Sequence, residues 1–146
     1  MPHARFLAFH AVPEPGDPAP VFAIVLAHGP DGVVLVFNRY RKVWELPGGI
    51  IDPGESARDG ARRELAEEAG CTATALEWLG VVDVDDGRPR RGAVFACAVT
   101  DVPAQMRNEE IDGIAAWTPH SAPQPLGASD RALLERLARA GPPKPA

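Results

Sequence analysis

Glu64, Glu67 and Glu68 stand at positions i, i+3 and i+4. On an α-helix that spacing sets three carboxylates on one face, within about 100° of one another. Adjacent like charges weaken a helix and raise one another's pKa values unless a cation stands among them. Hard divalent ions such as Mg2+ prefer carboxylate oxygens and keep several waters, which leaves positions for substrate phosphates. For a glutamate trio alone, the competing explanation is a solvated acidic face with Arg62 and Arg63 as intrahelical partners. The preceding residues favour chemistry. Leu46-Pro47-Gly48-Gly49 and Asp52-Pro53-Gly54-Glu55 read as a Gly/Pro-rich loop feeding the helix start. Glycines permit close backbone approach there, and the free amides of a helix start suit anionic groups.

Read from Gly49, the pattern is Gly, five residues, Glu55, seven residues, then Arg63-Glu64-Leu65-Ala66-Glu67-Glu68-Ala69-Gly70-Cys71. This resembles the complete box of the Nudix hydrolases, which cleave nucleoside diphosphates linked to another moiety. Every polar and glycine position is matched, and only the last, usually aliphatic, differs as Cys71. The lead-in Trp44-Glu45-Leu46-Pro47-Gly48-Gly49 is also a common approach to that box. The resemblance implies an α/β fold, an α/β/α sandwich around a central mixed β-sheet. It implies that Glu64, Glu67 and Glu68 bind divalent metal, Mg2+ or in some members Mn2+. The position of Glu55 adds a metal contact in some members and otherwise caps or pairs, and a backbone carbonyl at Gly48 is a further ligand candidate. Arg63 matches an arginine that orients neighbouring carboxylates.

For the general base, family members use either the glutamate matching Glu64 or a carboxylate on a later loop. Asn108-Glu109-Glu110-Ile111-Asp112 is the candidate loop, with Glu110 preferred; the alternative is that these are ordinary loop charges. Substrate recognition must come from outside the box. Arg39, Tyr40 and Arg41, followed by Trp44, form the concentrated basic and aromatic stretch nearest the motif, although exposure of a connection and core packing would explain them equally well. Arg88, Arg90 and Arg91 read as a solvated hairpin tip. The resemblance leaves two enzymatic classes open. One is a nucleoside triphosphate, oxidised purines included, cleaved to monophosphate and pyrophosphate; the other is ADP-ribose or another nucleotide sugar. The compact length and the approach to the box favour the triphosphate. A catalytically silent nucleotide-binding module is the third reading, and retention of every metal glutamate speaks against it.

Such a helix must be held by a sheet. Residues 56–69 are rich in Ala, Arg and Glu and end at Gly70, which suits the left-handed position past a helix end. Ala61, Leu65 and Ala69 lie on a neighbouring face and can pack onto strands. Residues 21–27 and 33–37 are apolar runs split by His28-Gly29-Pro30-Asp31-Gly32, a hairpin with a five-residue connection. Short strands are expected at 44–46, 76–84, 93–99 and 114–118. A last helix is expected over 130–140, with Ser129 before it and Gly141 behind. Pro13 to Pro20 must be a loop, because proline cannot donate to a sheet ladder.

The whole chain has 146 residues, 45% hydrophobic and 24% charged, enough for one compact domain over residues 1–140 with a frayed tail at 141–146. The net charge of −5 argues against broad binding to nucleic acid or an anionic membrane, so an anionic substrate needs a metal or a local basic patch. Two cysteines exclude a disulfide scaffold and a zinc ribbon. Without a signal segment or a membrane span, the expectation is a cytoplasmic protein acting on a small nucleotide, with a homodimer left open.

Overall fold

The computed structural model describes residues 4–73 and 75–138. Its elements are β1 (Arg5–His10), β2 (Phe22–Gly29), β3 (Gly32–Asn38), β4 (Val43–Glu45), β5 (Gly48–Ile50), α1 (Ala57–Ala69), β6 (Glu77–Asp85), β7 (Pro89–Ala98), β8 (Ile111–Trp117) and α2 (Ala128–Leu137). The strands form one sheet in the order β1-β6-β7-β2-β3-β4, with β5 added to β2 and β8 to β3. Strand β2 runs parallel to β7 from Phe22 opposite Gly92 to His28 opposite Ala98, whereas β5 joins β2 antiparallel. The sheet is therefore mixed.

Side chains alternate across each strand, so a central strand with helices on both faces must be apolar on both. Ala23, Val25 and Ala27 of β2 face a layer with Val34, Val36, Phe95 and Cys97, closed by Ala61, Leu65 and Ala69 of α1. Phe22 and Leu26 face the other layer with Val33, Leu35 and Val94, closed by Leu133 and Leu134 of α2. The result is the expected α/β/α sandwich, and the continuous apolar run of residues 21–27 is its central strand. Cys71 and Cys97 are free and buried, as expected. Among the described residues, no helix is long and apolar enough to cross a membrane.

Helix α1 has the expected termini. The Ser56 hydroxyl accepts the Asp59 amide at 3.0 Å, a cap that contributes about 1 kcal/mol. Gly70 follows at φ 64°, and its amide donates to the Ala66 carbonyl. Three expectations about the elements need correction, and one strand lies outside them. The hairpin is tighter than read, because Gly29 already pairs with Gly32. Gly48 and Gly49 do not lie in a loop but in β5, paired with Ile24 and Ala23. Helix α2 starts two residues early, so its cap is Gly127, without a side-chain hydrogen bond, and Ser129 lies buried in the first turn. Strand β1 was not foreseen; it is an edge strand on β6, half exposed along its length. Gly141 and the tail 141–146 lie outside the described residues.

Candidate active site

Three segments meet at the sheet edge of α1. Strand β5 lies against the helix, and Gly49 is where the two touch: a Cβ there would stand 2.6 Å from Glu64 Oε1. Only glycine lets the carboxylate lie so close to the strand. The Gly48 amide donates to Glu68 Oε1 at 2.9 Å. Glu64 and Glu68 are both buried, at 8% and 7% exposure, whereas the Glu67 side chain stays in solvent.

Arg63 ties the box together. Its Nε and Nη2 donate to Glu55 Oε2 and Oε1 at 2.9 and 3.0 Å, a bidentate pair. Nη1 reaches Glu64 Oε1 at 2.9 Å and Glu67 Oε2 at 3.3 Å, and Nη2 also donates to the Ile50 carbonyl at 3.1 Å. Glu55 Oε1 in turn accepts the Asp52 amide at 3.0 Å. The Arg63 hydrogen bonds, with the Asp52 amide, hold the Glu55 carboxyl down at about 2, and the same contacts raise the Arg63 guanidinium above its ordinary value. In this geometry Glu55 anchors Arg63, and Arg63 orients Glu64.

The buried glutamates go the other way. Burial raises Glu64, opposed by Arg63 and reinforced by the charges of Glu67 and Glu110. Burial pushes Glu68 up to about 9; the Gly48 amide opposes this, while Glu64, Glu110 and Glu45 add to it. Two buried carboxyls that repel each other share the single Arg63 cation, which touches Glu64 but not Glu68, and oxygen donors beside a solvent-open third carboxylate suit a hard divalent cation. Among the described residues, no three ligating side chains converge as a ready-made cage. Arg63 holds one oxygen each of Glu64 and Glu67, and the Gly48 amide holds one of Glu68. Gly48 meets the site through its amide.

Glu110 comes to the same cluster from the loop just before β8. Its amide donates to Asn108 Oδ1 at 2.9 Å and its carbonyl accepts the Arg39 amide at 2.8 Å. Its charge is felt at both Glu64 and Glu68.

Beside Gly48 and Gly49 opens a cavity of about 220 Å3, walled by Phe22, Ile24, Val43, Leu46, Ile50 and Val84, with Arg41, Glu45, Asp86, Arg90 and Asp130 as polar groups. Arg41 lies in this wall, bidentate to Glu45 at 2.7 and 2.9 Å. The other three candidates of the basic stretch do not line it. Arg39 contributes its amide to Glu110, Tyr40 is 72% exposed, and the Trp44 ring stacks edge-on against Phe37 at 5.2 Å.

Four residues of the site had no role in the sequence reading. Asp130, 8% exposed, accepts the Leu46 amide through Oδ1 at 3.0 Å, and burial together with the Glu45 charge pushes its carboxyl up to about 7. Glu45 sits in the lead-in to the box. Arg90 is no hairpin-tip charge: it pairs with Asp86 at 2.6 Å and lies over the Phe22 ring at 5.3 Å, in the cavity wall. Asn108 stands in the Glu110 loop. Only Asp130 carried a local signal, as an acid in the first turn of a helix.

The family model for the NUDIX domain matches residues 17–137. A Bacillus subtilis protein provisionally named as an 8-oxo-dGTP diphosphatase is 43% identical over 102 residues, 70% of this chain and 67% of that protein. A Mycobacterium tuberculosis protein, provisionally named as the mutator protein MutT4, is 33% identical over 108 residues. That match takes in 70% of this chain and 44% of the relative, so the chain spans less than half of that protein's length. Among solved structures, the Bacillus subtilis pyrophosphohydrolase superposes with a TM-score of 0.73 at 21% identity, over 92% of this chain and 90% of that one, a likeness of fold.

Proposed function

The chain belongs to the Nudix hydrolases, enzymes acting on phosphoric anhydrides, and from that premise we propose a Mg2+-dependent pyrophosphohydrolase that converts a nucleoside triphosphate, oxidised purines included, to monophosphate and pyrophosphate. The observation that carries the reading is the cavity that opens beside Gly48 and Gly49, the two residues of β5 that also touch Glu68 and Glu64. Its volume of about 220 Å3 is below the roughly 300–1,000 Å3 of sites that enclose a whole drug-sized ligand. It has room for a base, with the phosphates lying outward over the helix. Arg41, Glu45 and Asp130 supply the polar edge that such a base needs, and Phe22 under Arg90 supplies a flat apolar wall. The diphosphatase relative from Bacillus subtilis supports the same substrate class.

Glu64 and Glu68 would hold the divalent ion, with Glu67 as the exposed third donor. The ion supplies charge neutralisation on the two phosphoryl groups, which hydrolysis of a phosphoric anhydride requires. Arg63, clamped by Glu55, keeps Glu64 against Gly49 of β5. The Glu110 carboxylate, whose charge reaches both buried glutamates, accepts the proton of the attacking water, and its placement by backbone contacts on both its amide and its carbonyl fits that task.

The deciding experiment is product analysis with Mg2+, with 8-oxo-dGTP and ADP-ribose presented in parallel. Pyrophosphate and 8-oxo-dGMP are expected, and chelation of the metal should stop their formation. Release of AMP and ribose 5-phosphate, with 8-oxo-dGTP untouched, would overturn the triphosphate reading in favour of a nucleotide sugar.

A further inference from the structure

Glu110 sits in a loop, yet the proton acceptor of a hydrolytic site has to be held within a fraction of an ångström. One side chain does most of that holding. Asn108 Oδ1 accepts the amides of Glu110 and Ile111, both at 2.9 Å, while its Nδ2 donates to the Glu67 carbonyl at 3.0 Å. Its own amide donates to the Ile111 carbonyl, which closes the turn. The Glu67 carbonyl is one of those a helix end leaves without an intrahelical partner, because the Cys71 amide bonds to Leu65 instead. The loop is thus hung from the last turn of the helix that carries Glu64, Glu67 and Glu68.

We propose that Asn108 is a positioning residue: it clips the Glu110 loop to the end of α1 and so sets the Glu110 carboxylate against the buried glutamates. The inference rests on the reading of Glu110 as proton acceptor. The chemistry requires an amide side chain. The Asn108→Asp change would keep both acceptor contacts but lose the donor, and would add a negative charge at the negative end of the helix dipole.

Two measurements test it. The first is amide hydrogen exchange at Glu110 and Ile111 in the free protein. Asn108→Ala should lose at least about tenfold of their protection, and unchanged protection would overturn the clip. The second is steady-state hydrolysis of 8-oxo-dGTP with Mg2+. Asn108→Ala and Asn108→Asp should each lower kcat about tenfold with KM within about twofold. Glu110→Gln should lower kcat about a hundredfold or more. The double variant Asn108→Ala/Glu110→Gln should be no slower than Glu110→Gln alone, since the clip acts only through Glu110. If the Asn108 effect multiplies with that of Glu110→Gln, Asn108 is merely a helix-end partner and the proposal fails. If Glu110→Gln leaves kcat unchanged, the reading of Glu110 fails instead, and the exchange result still reports on the clip.

Discussion

Replacing Glu68 with glutamine is expected to make the metal-free protein more stable while removing its activity. Glu68 is buried, and its carboxyl is pushed from 4.5 to about 9. A group whose pKa rises on folding costs nothing below its unfolded value. The penalty grows as pH climbs from about 4.5 and is complete near 9, because the unfolded chain ionises first. At pH 8 the gap from 4.5, at about 1.4 kcal/mol per pH step, sets a ceiling of about 5 kcal/mol. Rotation of the side chain toward water and proton sharing with Glu64 lower this, so about 1–3 kcal/mol is expected. That corresponds to a rise in Tm of about 3–10 °C for a chain of this size. Glutamine retains an oxygen for the Gly48 amide, now at 2.9 Å from Glu68, so the packing survives. The assay is denaturant unfolding in chelator at pH 5 and pH 8, with and without saturating Mg2+. Wild type should lose stability between the two pH values, the variant should lose less, and Mg2+ should restore the wild type alone. A wild-type protein equally stable at both pH values, or a variant no more stable at pH 8, would refute the reasoning that the buried Glu68 carboxyl lacks a counter-charge.

Gly49→Ala places a methyl 2.6 Å from Glu64 Oε1; activity should fall at least about tenfold while Tm drops by only a few degrees, as measured by hydrolysis and thermal unfolding. Arg63→Lys removes the bidentate hold on Glu55 and releases that carboxyl from about 2 toward its ordinary range; a loss of about tenfold or more in metal affinity is expected by calorimetry. Asp130→Ala removes the acceptor at the cavity floor and should raise KM about tenfold with kcat little changed; an unchanged KM would place the base elsewhere.

Helix α1 was legible because its signals are local. Ser56, Gly70 and the apolar face of Ala61, Leu65 and Ala69 all act within one stretch of chain, and the cluster formed by Glu55, Arg63, Glu64 and Glu68 rides on it. The paired runs at 21–27 and 33–37 were legible for the same reason. What stayed hidden acts across the chain. Asp130 reaches Leu46 over 84 positions, and Arg90 meets Phe22 only once β7 lies near β2. Neither contact has a periodicity that a local reading could find. Strand β5 was hidden differently: Gly48 and Gly49 have no side chains to alternate, so a segment that pairs through backbone alone reads as a turn.

The parallel ladder between β2 and β7 has a temporal consequence. Phe22 and Gly92 are neighbours in it, so its first rung encloses a loop of about seventy residues, and ring closure of that length comes at an entropic cost before any contact repays it. Every box residue lies inside that loop. Helix α1 can form early from its own caps, and it packs mainly on β2, β3 and β5, so Glu64 and Glu68 can meet Gly49 and Gly48 inside the loop before the ladder to β7 closes. The raised carboxyls can therefore arise before the long loop closes, and their electrostatic penalty should appear in the refolding rate of the metal-free protein as a slowing with rising pH.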